Sequence, residues 1–341
     1  MRRIGCLDRT RRGTPAVMAT KTPPSPDAGP DSPTELAGGS WWSALKRAFK
    51  EFQEDNISDW AAALTYYGVL SIFPGLLVAV SLLGLLGKGT TDRVQDTVGD
   101  AAPGAVRDVL NTAIDNVQNA PTAGLVAIIG LLAAFWSASG YIGAFMRASN
   151  AIYDVPEGRP IWKTLPVRLA VTAVVGLMLL ISAVIVVFTG DLARAAGDAI
   201  GLGSTAVTVW NIAKWPVLVV LISLIFAILY WASPNAKHGG FRWVSPGGLF
   251  AMVLWLVASG LFAFYVANFA SYNKTYGSLA AVIIFLVWLW ISNIAILMGA
   301  ELDAELERRR AIAAGHPADV EPYVQLRDDR KVKKGKDQTL G

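Results

Sequence analysis

The stretch YGSLAAVIIFLVWLWISNIAILMGAELDAELERRR, residues 276–310, decides the fold of this chain. Residues 277–300 carry no charge, and about 20 apolar residues suffice for a helix to cross the hydrocarbon core of a membrane. Four carboxylates at alternate positions follow this run: Glu301, Asp303, Glu305 and Glu307. The stretch therefore predicts a membrane-spanning helix that ends in an acidic cluster.

The rest of the chain repeats this apolar pattern. Of its 341 residues, 53% are hydrophobic and only 16% are charged, whereas soluble domains carry about 25% charged residues. Long uncharged runs occupy 60–87, 116–146, 169–190, 215–236, 243–273 and 277–300. Because the bilayer core offers no water to peptide groups, each run should be helical. We predict an all-α polytopic membrane protein with a bundle of six transmembrane helices, at about 62–86, 124–147, 167–190, 210–233, 244–268 and 276–300.

Polar segments flank a predicted membrane domain at 41–310. Residues 1–40 are rich in Pro, Gly, Ser and Thr, and 311–341 are rich in charges, so both are predicted to be disordered tails. Within WWSALKRAFKEFQED, residues 41–55, apolar side chains share one helical face: Trp41, Leu45, Ala48, Phe49 and Phe52. This face predicts either an interfacial helix on the cytoplasmic leaflet or a helix packed on the bundle, and the two are compatible.

Basic residues set the predicted orientation. The six spans divide Lys and Arg into 24 on the side of both chain ends and 6 on the other side. Because cytoplasmic connections carry the excess of basic residues, both termini are predicted to be cytoplasmic. The long outer connection, about 88–122, predicts a small helical cap, and Pro74 inside the first span predicts a helix kink.

Motifs for catalysis or cofactors lack a suitable context. GLGSTA at 201–206 falls in a short connection between two spans, without the strand that a dinucleotide site needs. The single cysteine excludes an internal disulfide, and His238 and His316 have no second histidine at ligand spacing. The predicted topology accounts for the basic residues, and the net charge is only +4. We therefore expect no enzyme activity, no metal or cofactor, and no nucleic-acid partner.

Polar residues at the inner ends of the spans form the candidate site. They are two arginines, three carboxylates and one amide: Arg147, Arg242, Asp59, Glu301, Asp303 and Asn150. Ionisable groups near a membrane core are costly and are usually paired. Two interpretations remain open: ion pairs that fix the helix ends, or a gate or headgroup site where Arg147 or Arg242 binds an anion and Glu301 or Asp59 competes for the arginine.

A second polar patch lies at the predicted outer end of spans five and six. Its candidate residues are Asn268, Tyr272 and Tyr276. Gly277 follows directly and suits a tight turn. The patch is either functional or an exposed loop with aromatic anchors at the membrane interface.

Five blocks of the sequence resemble one family. They are AAALTYYGVLSIFPGLL (61–77), WSASGYIGAFMRASNAIYDV (136–155), LYWASPN (229–235), SPGGLFAMVLW (245–255) and YGSLAAVIIFLVWLWISNIAILMGAELDAELER (276–308). In order and spacing they are similar to the YihY/BrkB family of bacterial inner-membrane proteins, over about 45–310. Gly140 and Tyr141 stand where that family has an arginine-aromatic step after WSAS, so a role for that arginine does not carry over.

The resemblance implies a six-helix bundle in the bacterial cytoplasmic membrane. It favours transport or handling of a lipid or envelope-related substrate, with membrane lipids as partners. The alternative is a non-enzymatic scaffold that recruits unknown protein partners through polar tails. Members of the family have also been labelled ribonuclease BN and virulence factor, but no acid–base or metal constellation in a soluble segment supports a ribonuclease. Six spans are few for a monomeric alternating-access carrier, so a homo-oligomer is compatible with transport.

Overall fold

The computed structural model describes residues 23–25, 29–36, 38–85, 123–187, 194, 204–239, 245–269 and 279–332, with the backbone alone in parts of the helices. Within these residues, a short 3-10 helix at Pro33–Glu35 precedes seven α-helices. They are α1 (Gly38–Glu54), α2 (Ile57–Leu85), α3 (Ala123–Ile152), α4 (Ile161–Val187), α5 (Ser204–Ala232), α6 (Ser245–Phe269) and α7 (Leu279–Ala313). The all-α fold predicted from the sequence is confirmed.

The membrane character of these helices is also confirmed. Among the described residues, five stretches are long and apolar enough to cross a membrane: Ile128–Ile152, Ile161–Val186, Thr205–Ala232, Pro246–Asn268 and Val282–Ala313. The predicted first span corresponds to α2, which has 29 residues and includes position 74. The Pro74 side chain lies outside the described part, as does the predicted outer cap, so the kink and the cap stay predictions.

Helix α7 lies at the centre of the bundle, in contact with α6, α1, α2, α3 and α5. Asn293 links three helices, because its Nδ2 donates to Thr65 Oγ1 at 3.1 Å and its Oδ1 accepts from Tyr141 Oη at 2.8 Å. On the other side, Tyr230 Oη donates to the carbonyl of Ile296 at 2.6 Å. Since unpaired polar groups in an apolar interior are costly, these bonds fix the positions of α2, α3 and α5 against α7.

Helix α7 runs further than predicted, through the charged cluster to Ala313. Glu, Leu, Ala and Arg all favour helix, so nothing in ELDAELERRR stops it. Residues two apart on a helix face nearly opposite sides. The alternating carboxylates are therefore divided between two faces, and each face meets a different part of the protein.

Helix α1 packs on α7. Ala44 and Ala48 are fully buried there, whereas Trp42 and Phe49 are exposed. The packing hypothesis for residues 41–55 is thus confirmed, although Phe49 does not share the buried face. The interfacial hypothesis stays a prediction, which the two exposed aromatic side chains support.

The segment after α7 folds back onto the bundle. Asp328 exchanges two hydrogen bonds with the Asn235 side chain, at 2.9 and 3.1 Å, and its carboxylate pairs with Lys163 at 2.8 Å. Val324 is buried in the main core, and Leu326 packs against it. This packing corrects the predicted disordered tail for residues 314–332. The end that carries α1, the connection 153–160 and the last turns of α7 is called the terminal end of the bundle below.

Candidate functional site

Arg147 lies on α3, five residues before the helix ends at Ile152. Its side chain is exposed, and its Nη1 donates to the carbonyl of Gly143 at 3.0 Å. The guanidinium also lies 5.9 Å from the centre of the Tyr67 ring. Both partners are neutral, so they orient the guanidinium without cancelling its charge.

Arg168 of α4 lies beside it and was missed by the sequence analysis. Its Nε and Nη2 donate to Ser139 Oγ at 3.2 and 2.6 Å, and its guanidinium lies 5.6 Å from the centre of the Trp136 ring. A Cβ on Gly143 would stand 3.2 Å from Arg168 Nη1. The absence of a side chain at Gly143 therefore lets Arg168 lie against α3, where Arg147 binds the carbonyl of the same glycine.

The two arginines, called the basic pair below, lie at a similar depth. Helices α3 and α4 are in contact and are joined by the short connection 153–160. Arg147 precedes this connection by five residues and Arg168 follows the start of α4 by seven, which corresponds to about 8 and 11 Å along the helices. The predicted third span began at 167, which made Arg168 look like an ordinary boundary charge.

The basic pair has no acidic partner among the residues that the structure describes. None of the ion pairs found there involves either arginine. A guanidinium stays charged at any physiological pH and offers five N–H donors in a planar fork. Two such groups near a bilayer surface can bind a phosphate or carboxylate by charge-assisted hydrogen bonds.

The two predicted carboxylates of α7 lie elsewhere. Glu301 is buried and faces Asp55, which precedes α2. Asp303 is buried and accepts the backbone N–H of Gly247 at 2.7 Å, near the start of α6. Because the first N–H groups of a helix have no partner within it, Asp303 caps α6 and has a structural role. Neither carboxylate pairs with Arg147.

Asn150 is also structural. Its Nδ2 donates to Glu157 Oε2 at 2.9 Å, and its Oδ1 accepts from the Asn235 backbone at 2.7 Å. Burial alone would raise the pKa of Glu157, but hydrogen bonds from Arg159 and Asn150 hold that pKa below its ordinary value. This network joins the connection 153–160 to the end of α5, which the sequence could not indicate because its members are far apart in the chain.

The remaining candidates are five residues, two of which lie in the described part of the chain. Asp59 is exposed in the first turn of α2, and no ion pair in the described ranges includes it. Asn268 donates to the carbonyl of Phe264 within α6 at 2.8 Å. The other three, Arg242, Tyr272 and Tyr276, lie outside the described residues. Within the described part of the chain, no three Asp, Glu, His or Cys side chains are grouped as a metal site.

Curated bacterial proteins are similar to this chain over most of its length. It is 31% identical over 275 residues to a ribonuclease-like protein, YfkH, of Bacillus subtilis, which covers 81% of this chain and 99% of that protein. It is 32% identical over 289 residues to a UPF0761 membrane protein of Alkalilimnicola ehrlichii, with 79% of this chain and 60% of that protein covered. A UPF0761 membrane protein of Halorhodospira halophila is 28% identical over 271 residues, with 77% and 58% covered. The chain thus spans less than two thirds of the two UPF0761 proteins.

The comparison with solved structures gave no match. The profile of the family described as virulence factor BrkB matches residues 48–322, which include all seven helices except the first ten residues of α1. The matched region contains the basic pair and the apolar helices that make this a membrane protein. This chain therefore belongs to the virulence factor BrkB family.

Proposed function

We propose that this membrane protein transports or transfers a lipid with an anionic headgroup, and that the basic pair binds that headgroup. The observation that carries the proposal is that Arg147 and Arg168 both lie against Gly143, without an acidic partner in the described chain. Charges near the membrane core are retained at a cost, so two unneutralised arginines indicate a ligand of opposite charge.

The surroundings of the basic pair suit a lipid better than a soluble anion. Trp136, Leu132 and Ile129 are exposed on α3; they precede Arg147 in the chain and share its helix face. A headgroup on the arginines would therefore place its acyl chains along an apolar track. Aromatic rings such as Trp136 favour the boundary between headgroups and acyl chains. The excess of basic residues at this end supports a site facing the cytoplasmic leaflet.

The alternative function, a scaffold, depends on polar tails that are free to recruit partners. Residues 314–332 instead contact the bundle through buried groups such as Val324 and Asp328. Those contacts weaken the case for a recruiting C-terminal tail. In the proposed function the protein binds and moves lipid and makes or breaks no covalent bond.

The test is native mass spectrometry of the full chain, released from vesicles that contain equal amounts of phosphatidylglycerol and phosphatidylcholine. We expect the wild-type protein to retain phosphatidylglycerol preferentially. Arg147→Ala and Arg168→Ala should each lower that preference about tenfold, because a hydrogen bond to a charged group contributes about 1.5–3 kcal/mol. Arg330→Ala is the matched control, since Arg330 is exposed and already paired with Asp328 at 3.0 Å.

Equal retention of both lipids by all four proteins would contradict the headgroup site. Movement is tested separately in proteoliposomes, by the rate at which a labelled phosphatidylglycerol in one leaflet becomes accessible in the other. We expect wild type and Arg330→Ala to accelerate this exchange, and both variants of the basic pair to slow it. Exchange as slow as in protein-free vesicles would limit the proposal to binding.

A further inference from the structure

A pocket at the terminal end of the bundle has a lining rich in acidic residues. Helix α1, the turn before α2, the residues just after α3, helix α7 and the segment after α7 meet there. The lining contains six acidic and two basic residues: Glu51, Asp55, Asp154, Glu301, Glu305, Glu321, Arg47 and Arg308. We call it the acidic pocket. Neither member of the basic pair lines it, so it is a separate site.

The two arginines neutralise only one side of the acidic pocket. Arg47 lies 2.9 Å from Glu305, 2.6 Å from Glu51 and 3.8 Å from Glu321. Arg308 lies 3.9 Å from Glu305. Together the two arginines pair with three of the six carboxylates, and no ion pair in the described chain joins either arginine to the other three.

The other side consists of Asp55, Asp154 and Glu301. No ion pair in the described part of the chain includes any of the three. The Asp55 carboxyl is in hydrogen-bonding contact with that of Glu301, and the Asp154 carboxyl with that of Glu321. Ionised carboxylates are acceptors only, so each contact needs a proton or a cation from outside the pair.

Glu301 is the most deeply buried carboxylate of the acidic pocket and forms its floor. Only 1% of its surface is exposed, and its Oε2 has no hydrogen-bond donor among the described residues. Buried polar atoms are nearly always satisfied by protein, water or an ion. The buried Glu301 oxygen lacks a hydrogen-bond donor in the described chain and borders a pocket. This indicates that a group bound in the pocket supplies the donor.

Two kinds of cation could fill this role, and their geometries differ. A metal ion needs several ligands grouped closely around one point, and the described residues contain no such group. A primary ammonium carries three N–H donors on one nitrogen, and its N···O distances of about 2.7–3.2 Å are longer than metal–oxygen distances. Its three donors match three carboxylates that come from three different elements.

We propose that the acidic pocket binds a primary ammonium group, with Glu301 at the floor and Asp55 and Asp154 around it. Burial, followed by the charges of Glu321 and Asp55, raises the pKa of Asp154 to about 7, and burial raises the pKa of Asp55 above its ordinary value. An ammonium group must displace the proton that these carboxyls hold. Binding should therefore strengthen as the pH rises from 6 to 8.

The experiment is calorimetric titration of the full chain in detergent with spermidine, at pH 7.5 in an amine-free phosphate buffer. We expect saturable binding that weakens at least tenfold for fully N-methylated spermidine, which has the same charges but no N–H donors. Glu301→Gln and Asp154→Asn should each weaken spermidine binding at least tenfold. Glu54→Gln is the matched control, because Glu54 is exposed outside the pocket and pairs with Lys50 at 3.0 Å.

The natural ammonium could come from a soluble amine or from an aminolipid headgroup. Repeating the titration in nanodiscs of phosphatidylethanolamine and of phosphatidylcholine separates these sources: weaker spermidine binding in phosphatidylethanolamine indicates the lipid, and equal binding indicates a soluble amine. The proposal is overturned if spermidine and its methylated form bind equally, if Mg²⁺ displaces spermidine at the same concentration, or if both pocket variants bind like wild type. Asp154 lies at the exposed rim, so its variant remains informative even if Glu301→Gln does not fold.

Discussion

The charged end of α7 presents two faces that treat their carboxylates differently. On one face, Asp303 accepts the N–H of Gly247, and Glu307 pairs with Arg310. On the other face, Glu301 borders the acidic pocket, and its carboxyl is in contact with another carboxyl, that of Asp55. Asp303 and Glu301 each keep one oxygen without a donor in the described chain. Asp303 and Glu301 are equally buried, at 0% and 1% exposure. Burial therefore does not separate a structural carboxylate from a candidate binding group, whereas the presence of a partner does.

The arginines follow the same distinction. Arg310 is buried against Glu307 and also reaches the carbonyl of Ser25 near the N-terminus. Arg147 and Arg168 have only neutral partners in the described chain. Paired groups hold elements together, so their loss should cost stability. The loss of a group that has no oppositely charged partner should cost little stability and should instead change what the protein binds.

The largest effect that would sharpen this comparison is expected for Glu307→Ala. The substitution removes one half of the buried ion pair between Glu307 and Arg310, and breaking a buried pair typically lowers the free energy of unfolding by about 3–5 kcal/mol. Denaturant titration in detergent micelles, followed by tryptophan fluorescence, measures the change. Glu301→Gln is the control on the opposite face and should change that free energy by less than about 1 kcal/mol. Equal losses for both variants would break the comparison.

A smaller effect is expected at the start of α6. Asp303→Ala removes the acceptor for the Gly247 N–H, and the loss of such a helix cap costs about 0.5–2 kcal/mol. Asp303→Asn keeps an oxygen that can accept this bond and should retain most of the stability. The same denaturant titration distinguishes the two variants. An Asn variant as unstable as the Ala variant would show that the negative charge, rather than the hydrogen bond, stabilises the helix end.

The spans could be predicted from the sequence because peptide groups in the bilayer core have no water to bond. Every long apolar run must therefore be helical. The uncharged run before Ala300 predicted a spanning helix, and α7 indeed covers it. The prediction bounded only the span, at residue 300, and made no statement about the helix beyond it, which continues to Ala313. Helix propensity was the signal available for that continuation.

The site was less predictable, because its neighbours come from distant parts of the chain. Arg147 was identified from its position at a span end. The identification of Arg168 required the contact between α3 and α4 and the space left by the missing side chain of Gly143. Asp55 and Glu301 are separated by most of the chain. A single sequence indicates that a carboxylate is costly at a span end, but only the fold shows whether a partner relieves that cost.

The smallest effect is expected for the pH dependence of stability, through Asp154 at the rim of the acidic pocket. Its pKa, raised by burial and by neighbouring carboxylates to about 7, exceeds the ordinary value near 4. Between these values the folded chain holds a proton that the unfolded chain has released, so stability falls as the pH rises through this window.

Asp154→Asn should therefore flatten the fall in thermal unfolding temperature between pH 5 and pH 8, in amine-free buffer. Because Asp154 is exposed at the rim, the effect should correspond to less than about 1 kcal/mol. Asp319→Asn, an exposed position outside the pocket, is the matched control and should leave the slope unchanged. If both variants keep the wild-type slope, like-charge repulsion at the rim is already relieved by other means. If spermidine flattens the slope of wild type to that of Asp154→Asn and leaves the slope of the variant unchanged, the charge that relieves the repulsion is the ammonium itself.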